Sequence, residues 1–309
     1  MSTSTALADL KAHIREIDCL LPFWYGITAQ GTLIDWSQSE AIQIAKRNNV
    51  PILAMVHNYS DSQMSELVHE LLIYPILRDN LINSIENMLK TQKYAGVNIC
   101  FKFVPPADRE ALNIFMERLY KHLTPGFMVT ISVPAKTGDD PGHPFSGAFD
   151  YGALSVYSDG VFIMTHDEHF SKPAPLASIG FIHQVLDYAI TRIPRNKIVL
   201  GIGIYGYEHA SDGGMPRILS YYDAINLASR TGAHIIYDVN SQESTFTYYV
   251  GGTNHIVWFE DFRSFSSKID LVNIYDLSGI SVWRLGLEDR RDWTVIRTKL
   301  KGTARPTQD

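Results

Sequence analysis

The strongest constraint on this chain is the spacing of its apolar runs. Seven stretches of strand length, at 19–27, 52–57, 97–104, 127–133, 161–165, 198–205 and 280–285, are separated by segments of helical periodicity. Most of these runs are continuously apolar rather than alternating, as in parallel strands covered on both faces. The helical segments keep their apolar residues on one stripe. Between 108 and 123, just after Pro105-Pro106, Leu112, Phe115, Leu119 and Leu123 recur at three- and four-residue intervals. Residues 178–192 and 264–276 behave similarly. This alternation predicts an α/β chain, a (β/α)8-type TIM barrel rather than a doubly wound sheet. The 309 residues suit one barrel, which takes about 250 residues. The expectation is therefore a single domain over 1–300 with a flexible tail at 301–309.

Two features depart from a regular barrel. Short β-prone runs at 234–239, 245–250 and 255–258, separated by polar turns and Gly251-Gly252, predict a small antiparallel insertion, about 208–258, before the last strand. Upstream of the first run, residues 7–15 read as helix, so the inventory stops at seven strands and the first barrel strand is expected to be missing. The strands around Trp24 and Trp283 would then be left unpaired along one edge or covered by another segment. An open edge invites pairing with a second copy of the chain, so a homo-oligomer is among the expected partners.

Composition enters mainly by exclusion. A net charge of −6 gives no electrostatic reason to bind nucleic acid or an anionic membrane. Cys19 and Cys100, the two cysteines, cannot build a disulfide framework or a multi-cysteine zinc site. No apolar run approaches the roughly 18 residues of a membrane helix, and the N-terminus shows no secretory leader. The default expectation is cytoplasmic. Gly201 to Gly206 satisfy G-x-G-x-x-G but form the strand itself rather than a strand-to-helix turn, so no dinucleotide is expected. His166-Asp167-Glu168-His169 lacks the helical spacing of a zinc motif, and no metal or cofactor is expected. The 16 Tyr, 14 Phe and 5 Trp supply rings for a stacking pocket.

The segments 66–85, 104–115, 163–169 (IMTHDEH), 192–207 (RIPRNKIVLGIGIYGY), 257–264 (VWFEDFRS) and 279–287 (GISVWRLGL), with GVNICFKFVPP at 96–106, resemble in order those of glycoside hydrolase family 18. The similarity is to its branch of spore-cortex and peptidoglycan N-acetylglucosaminidases. It implies an N-acetylated glycan as partner, and spore or wall association. In that family the substrate's own acetamido oxygen attacks the anomeric carbon, so no enzymatic nucleophile is needed. A Glu closing the motif Asp-Gly-x-Asp-x-Asp-x-Glu protonates the leaving oxygen, and the Asp two residues earlier orients the acetamido group. This chain reads Ala95-Gly96-Val97-Asn98-Ile99-Cys100-Phe101-Lys102. Lys102 stands at the acid position and Cys100 at the stabiliser position.

At 163–169 the family's Tyr-Asp becomes His166-Asp167, with His166 in place of the Tyr that donates to the acetamido group. Tyr205 and Trp283 match positions that line and floor the sugar pocket. Asn58, Trp24 and Tyr25 are read at earlier strand ends, either lining the same cleft or hydrogen bonding within loops. Glu260 and Asp261 read as structural or rim residues. A lysine cation beside an oxocarbenium-like transition state opposes the charge that develops. The resemblance thus implies a catalytically impaired glycan binder. Two alternatives stand beside it: an active glycosidase with an altered acid, and a coat-type structural protein with a vestigial site.

Overall fold

The computed structural model describes residues 4–59 and 64–301. The expected tail falls, past Lys301, outside the described residues. Two compact units divide the chain: residues 17–164 with 187–199, and residues 4–16 with 165–186 and 200 onward. The boundaries at 186/187 and 199/200 fall inside a helix, Ile179–Ala189, and a strand, Ile198–Gly203. No linker composition therefore marks the division in the sequence.

The first unit carries β1 (Phe23–Ile27), β2 (Leu33–Asp35), β3 (Leu53–His57), β4 (Gly96–Cys100), β5 (Met128–Pro134) and β6 (Gly160–Met164). They lie in the order β2-β1-β3-β4-β5-β6 within a sheet of eight strands. β1, β3, β4, β5 and β6 are parallel. Every residue of β3 and β4 is buried, which is why their sequences do not alternate. Gly96 is required by close approach, since a Cβ there would stand 2.2 Å from the Met128 carbonyl oxygen. Helix Arg109–Leu123 buries Leu112, Phe115, Met116, Leu119 and Leu123, each such side chain stabilising by about 1.5–3 kcal/mol.

Several of the expected strands are shorter than their apolar runs. The run at 19–27 becomes a strand only at Phe23, because Pro22 has no N–H to donate; Leu20 makes a single bridge to Ile52. The run at 97–104 leaves the sheet after Cys100, and that at 198–205 after Gly203. The edge expected around Trp24 is not open. β2 folds back antiparallel on β1, pairing Tyr25 with Asp35 and Ile27 with Leu33. A three-residue edge strand is a poor template for a second chain.

In the second unit the N-terminal segment is a helix, Ser4–His13, and no strand precedes β1 among the described residues. β7 (Ile198–Gly203) begins in the first unit and ends in the second. It is followed by β8 (Gly206–Ala210), β9 (Arg217–Leu219), β10 (Ile236–Asp238), β11 (Glu243–Val250), β12 (Thr253–Phe259) and β13 (Gly279–Trp283). β13 neighbours β7. The other five form an antiparallel sheet, β10-β11-β12-β8-β9, larger than the three runs suggested. Helix Tyr221–Thr231, opened by a Ser220/Asp223 capping box, packs Ala224, Leu227 and Ala228 against Phe246, Val257 and Phe259 of this sheet.

Candidate active site

In parallel α/β folds functional groups gather where strands end, and the two units each present such a set. In the first unit the set is built on β3 and β4. Asn98, inside β4, is fully buried and satisfied: its Nδ2 donates to Thr130 Oγ1 (3.0 Å) and its Oδ1 accepts from Ser132 Oγ (2.8 Å). Cys100 closes the strand at 4 % exposure. Burial pushes its thiol up, with Lys102 and Ser132 only partly offsetting that effect.

A histidine does stand beside Cys100, which sequence adjacency could not show: His57, the last residue of β3, is its register partner. Burial lowers His57 to about 4, so its ring is neutral. His57 Nδ1 accepts from the Tyr59 N–H (3.2 Å). A buried neutral thiol next to a neutral imidazole is not the thiolate–imidazolium pair that nucleophilic cysteines require.

Lys102 lies two residues beyond β4, and its backbone is clamped by Asn58. The Asn58 Oδ1 accepts from the Lys102 N–H (2.7 Å), while its Nδ2 donates to the Lys102 carbonyl (2.7 Å) and to that of Met64 (3.0 Å). The next residue, Phe103, takes a left-handed φ of 54°, a strained conformation for a bulky side chain. Its half-exposed ring meets Phe145 edge-on at 5.5 Å. The Lys102 Nζ donates to Met164 Sδ at 2.9 Å, at the end of β6. Its side chain thus passes over the end of β5, which lies between β4 and β6.

Trp24 and Tyr25 do not stand at a strand end: β1 continues to Ile27 and both are buried within it. The Tyr25 hydroxyl hydrogen bonds with that of Tyr94 (3.2 Å). One exposed aromatic in this region is Trp36, half-exposed, a residue the sequence pattern did not single out. It stacks on His57 at 5.8 Å, and His57 stacks on Phe23 at 3.6 Å. Gly26 makes room for this, since a Cβ there would lie 2.7 Å from the indole.

In the second unit His166 and Asp167 follow directly on the end of β6, and Tyr205 follows β7. The Asp167 carboxylate is their hub. It accepts from His166 Nδ1 (3.0 Å) and from the hydroxyls of Tyr205 and Tyr207. Burial would raise this carboxyl, but the hydrogen bond and charge of His166 and the two phenols outweigh it and hold Asp167 at about 2. Burial, then Asp167, pushes both phenols up, so they remain donors. Tyr207 was missed, although Tyr205-Gly206-Tyr207 carries the signal: alternate residues of an extended chain share a face. Trp283 ends β13 with 38 % of its surface exposed. Glu260 and Asp261 are held structurally, the first by Lys268 and Ser264, the second as the N-cap of helix Phe262–Ile274.

Comparison with known proteins fixes the class of this α/β chain. Residues 25–288 match the family Glycosyl hydrolases family 18, and the chain belongs to it. The fold is accordingly of TIM-barrel type. Among its relatives, the protein YdhD of Bacillus subtilis is 35 % identical over 274 residues, 86 % of this chain. This chain spans only 65 % of YdhD. The cortical fragment-lytic enzyme of the same organism is 30 % identical over 301 residues, covering 93 % of this chain and 70 % of the enzyme. The crystal structure of the spore cortex-lytic enzyme SleL of Bacillus megaterium superimposes with a TM-score of 0.90 at 28 % identity, covering 97 % of this chain and 71 % of that one.

Proposed function

We propose that this chain is a glycan-binding member of glycoside hydrolase family 18 that no longer hydrolyses, and that it recognises N-acetylglucosamine-containing material of the spore-cortex or cell-wall type. The observation that carries the reading is the state of the β4 end. The family's acid position holds the cation Lys102, and its stabiliser position holds Cys100, whose thiol burial keeps protonated. Neither can supply the proton donor and the acetamido-orienting carboxylate of substrate-assisted hydrolysis. The groups that contact sugar rather than perform chemistry persist: Asp167 with its phenol donors, Tyr205, and the exposed Trp283. The substrate types named for the relatives make cortex or wall glycan the ligand of choice.

Turnover and binding together test this. The unmodified protein, incubated with chitotetraose and with cortex fragments, should release no product while binding saturably, and Trp283→Ala should weaken that binding by about tenfold or more. Cys100→Asp together with Lys102→Glu should bring measurable hydrolysis back. Turnover by the unmodified chain that disappears on Lys102→Ala would instead make it an active enzyme with a changed acid. Absence of binding to every N-acetylated glycan would make the sugar site vestigial and overturn the proposal.

A further inference from the structure

We infer that the first unit selects a glycan carrying a carboxylate, with Lys102 as the counter-charge; this rests on the glycan-binding reading above and names its ligand more closely. Lys102 is part-buried and its backbone is fixed in place, because Asn58 holds both its N–H and its carbonyl. Among the described residues its ammonium nevertheless hydrogen bonds only with the thioether of Met164. Thioether sulfur is a weak acceptor and carries no charge, so two of the three ammonium donors and the whole positive charge are unspent. Among the described residues of its unit no carboxylate lies within ion-pair range of Lys102. The other lysine near a strand end, Lys136, is by contrast closed off by Asp139 (2.6 Å) and the Phe149 carbonyl (2.9 Å).

The same unit exposes aromatic rings. Trp36, Tyr59, Phe103 and Phe145 are each at least 40 % exposed. Trp36 is braced by His57, and Phe103 by Phe145. Exposed, braced rings suit the apolar faces of pyranose rings, and they leave the single lysine to read charge. A carboxylate on the sugar answers an ammonium with unspent donors through a charge-assisted hydrogen bond. A neutral N-acetylated sugar would leave that ammonium unanswered. A polyanion without rings would forgo the aromatic surface.

Calorimetry with three matched ligands decides the matter: the N-acetylglucosamine–N-acetylmuramic acid disaccharide, whose lactyl ether ends in a carboxylate; its methyl ester; and chitobiose. The free acid should bind about tenfold tighter than the ester or chitobiose at low ionic strength, an advantage of about 1.4 kcal/mol. Added salt should shrink the difference. Lys102→Met, which keeps the length and the backbone clamp, should erase the difference between acid and ester. Lys102→Arg should retain it. Equal binding of acid and ester, unchanged by Lys102→Met, overturns the charge selection and leaves glycan binding standing. Failure of all three sugars to bind overturns the glycan reading itself and this inference with it.

Discussion

Asn58 shows what one residue contributes at the strand ends of the first unit. Its amide spends three hydrogen bonds on backbone: two tie it to Lys102, 44 residues away, and one to Met64. Replacing it by alanine leaves a part-buried carbonyl and a part-buried N–H of Lys102 without this partner, so Asn58→Ala should cost about 1–3 kcal/mol in urea melts. The same variant should lose the preference for a carboxylated sugar, because the lysine backbone is no longer held. A variant destabilised to this degree that still distinguishes acid from ester would show that Lys102 does not need the clamp. At this scale legibility is uneven. Cys100, Lys102 and His166 could be read as substitutions because they sit inside ordered motifs of local sequence. Asn58 could be suspected but not assigned, since its partner is reached only through the fold. Trp36 and Tyr207 carried too little local signal to be separated from ordinary aromatics.

Elements were easier to read than their interiors. The stripe at 108–123 became helix Arg109–Leu123 with its expected apolar residues buried, because a 3.6-residue period leaves few alternatives. Helix Phe262–Ile274 was equally visible, yet its sequence hides what anchors it. Asp261 caps it, in a box closed by Ser264. Lys268, with 1 % of its surface exposed, bridges Glu243 (2.9 Å) and Glu260. Glu243 in turn accepts from the N–H groups of Leu176 and Ala177, both at 2.7 Å. Burial opposes the charge on Lys268, but the two carboxylates outweigh it and push its pKa up, while burial pushes Glu260 up to about 8. These partners come from four places in the chain, so no window of sequence contains the cluster. Lys268→Met strands two buried carboxylates and should cost about 3–5 kcal/mol. Adding Glu260→Gln should recover a measurable part of that loss in urea melts. If the double variant is no better than the single, the lysine acts through packing and not through its charge.

For the molecule as a whole, the fold class was legible because burial on both faces forces continuous apolar runs, and the order of the family segments was legible through their resemblance. The division into two compact units was not, since it cuts through continuous elements. Nor does a net charge of −6 show where acids are expensive. The second unit concentrates Glu260, Asp261, Glu288, Asp289 and Asp292, and Asp292 has an Oδ1 with no hydrogen-bond partner among the described residues. Burial, followed by Asp289, Glu260, Glu288 and Asp261, pushes Asp292 up to about 9. In the unfolded chain the same carboxyl titrates near ~3.9. Between these values the folded chain holds a proton that the unfolded chain has released. This group therefore makes stability fall as pH rises, by up to ~1.4 kcal/mol per pH unit. Asp167, held at about 2, acts in the opposite sense, but its contribution is complete above the unfolded carboxyl value and is lost only as pH falls towards 2. From about pH 5 upward Asp292 is left to set the slope among these two. Asp292→Asn replaces it by a neutral group of the same shape. Thermal melts should show little difference between variant and parent near pH 4, and a stabilisation of at least about 1 kcal/mol at pH 8. A gain of equal size at both pH values would assign the effect to packing around the amide and remove the titration of Asp292 as its cause.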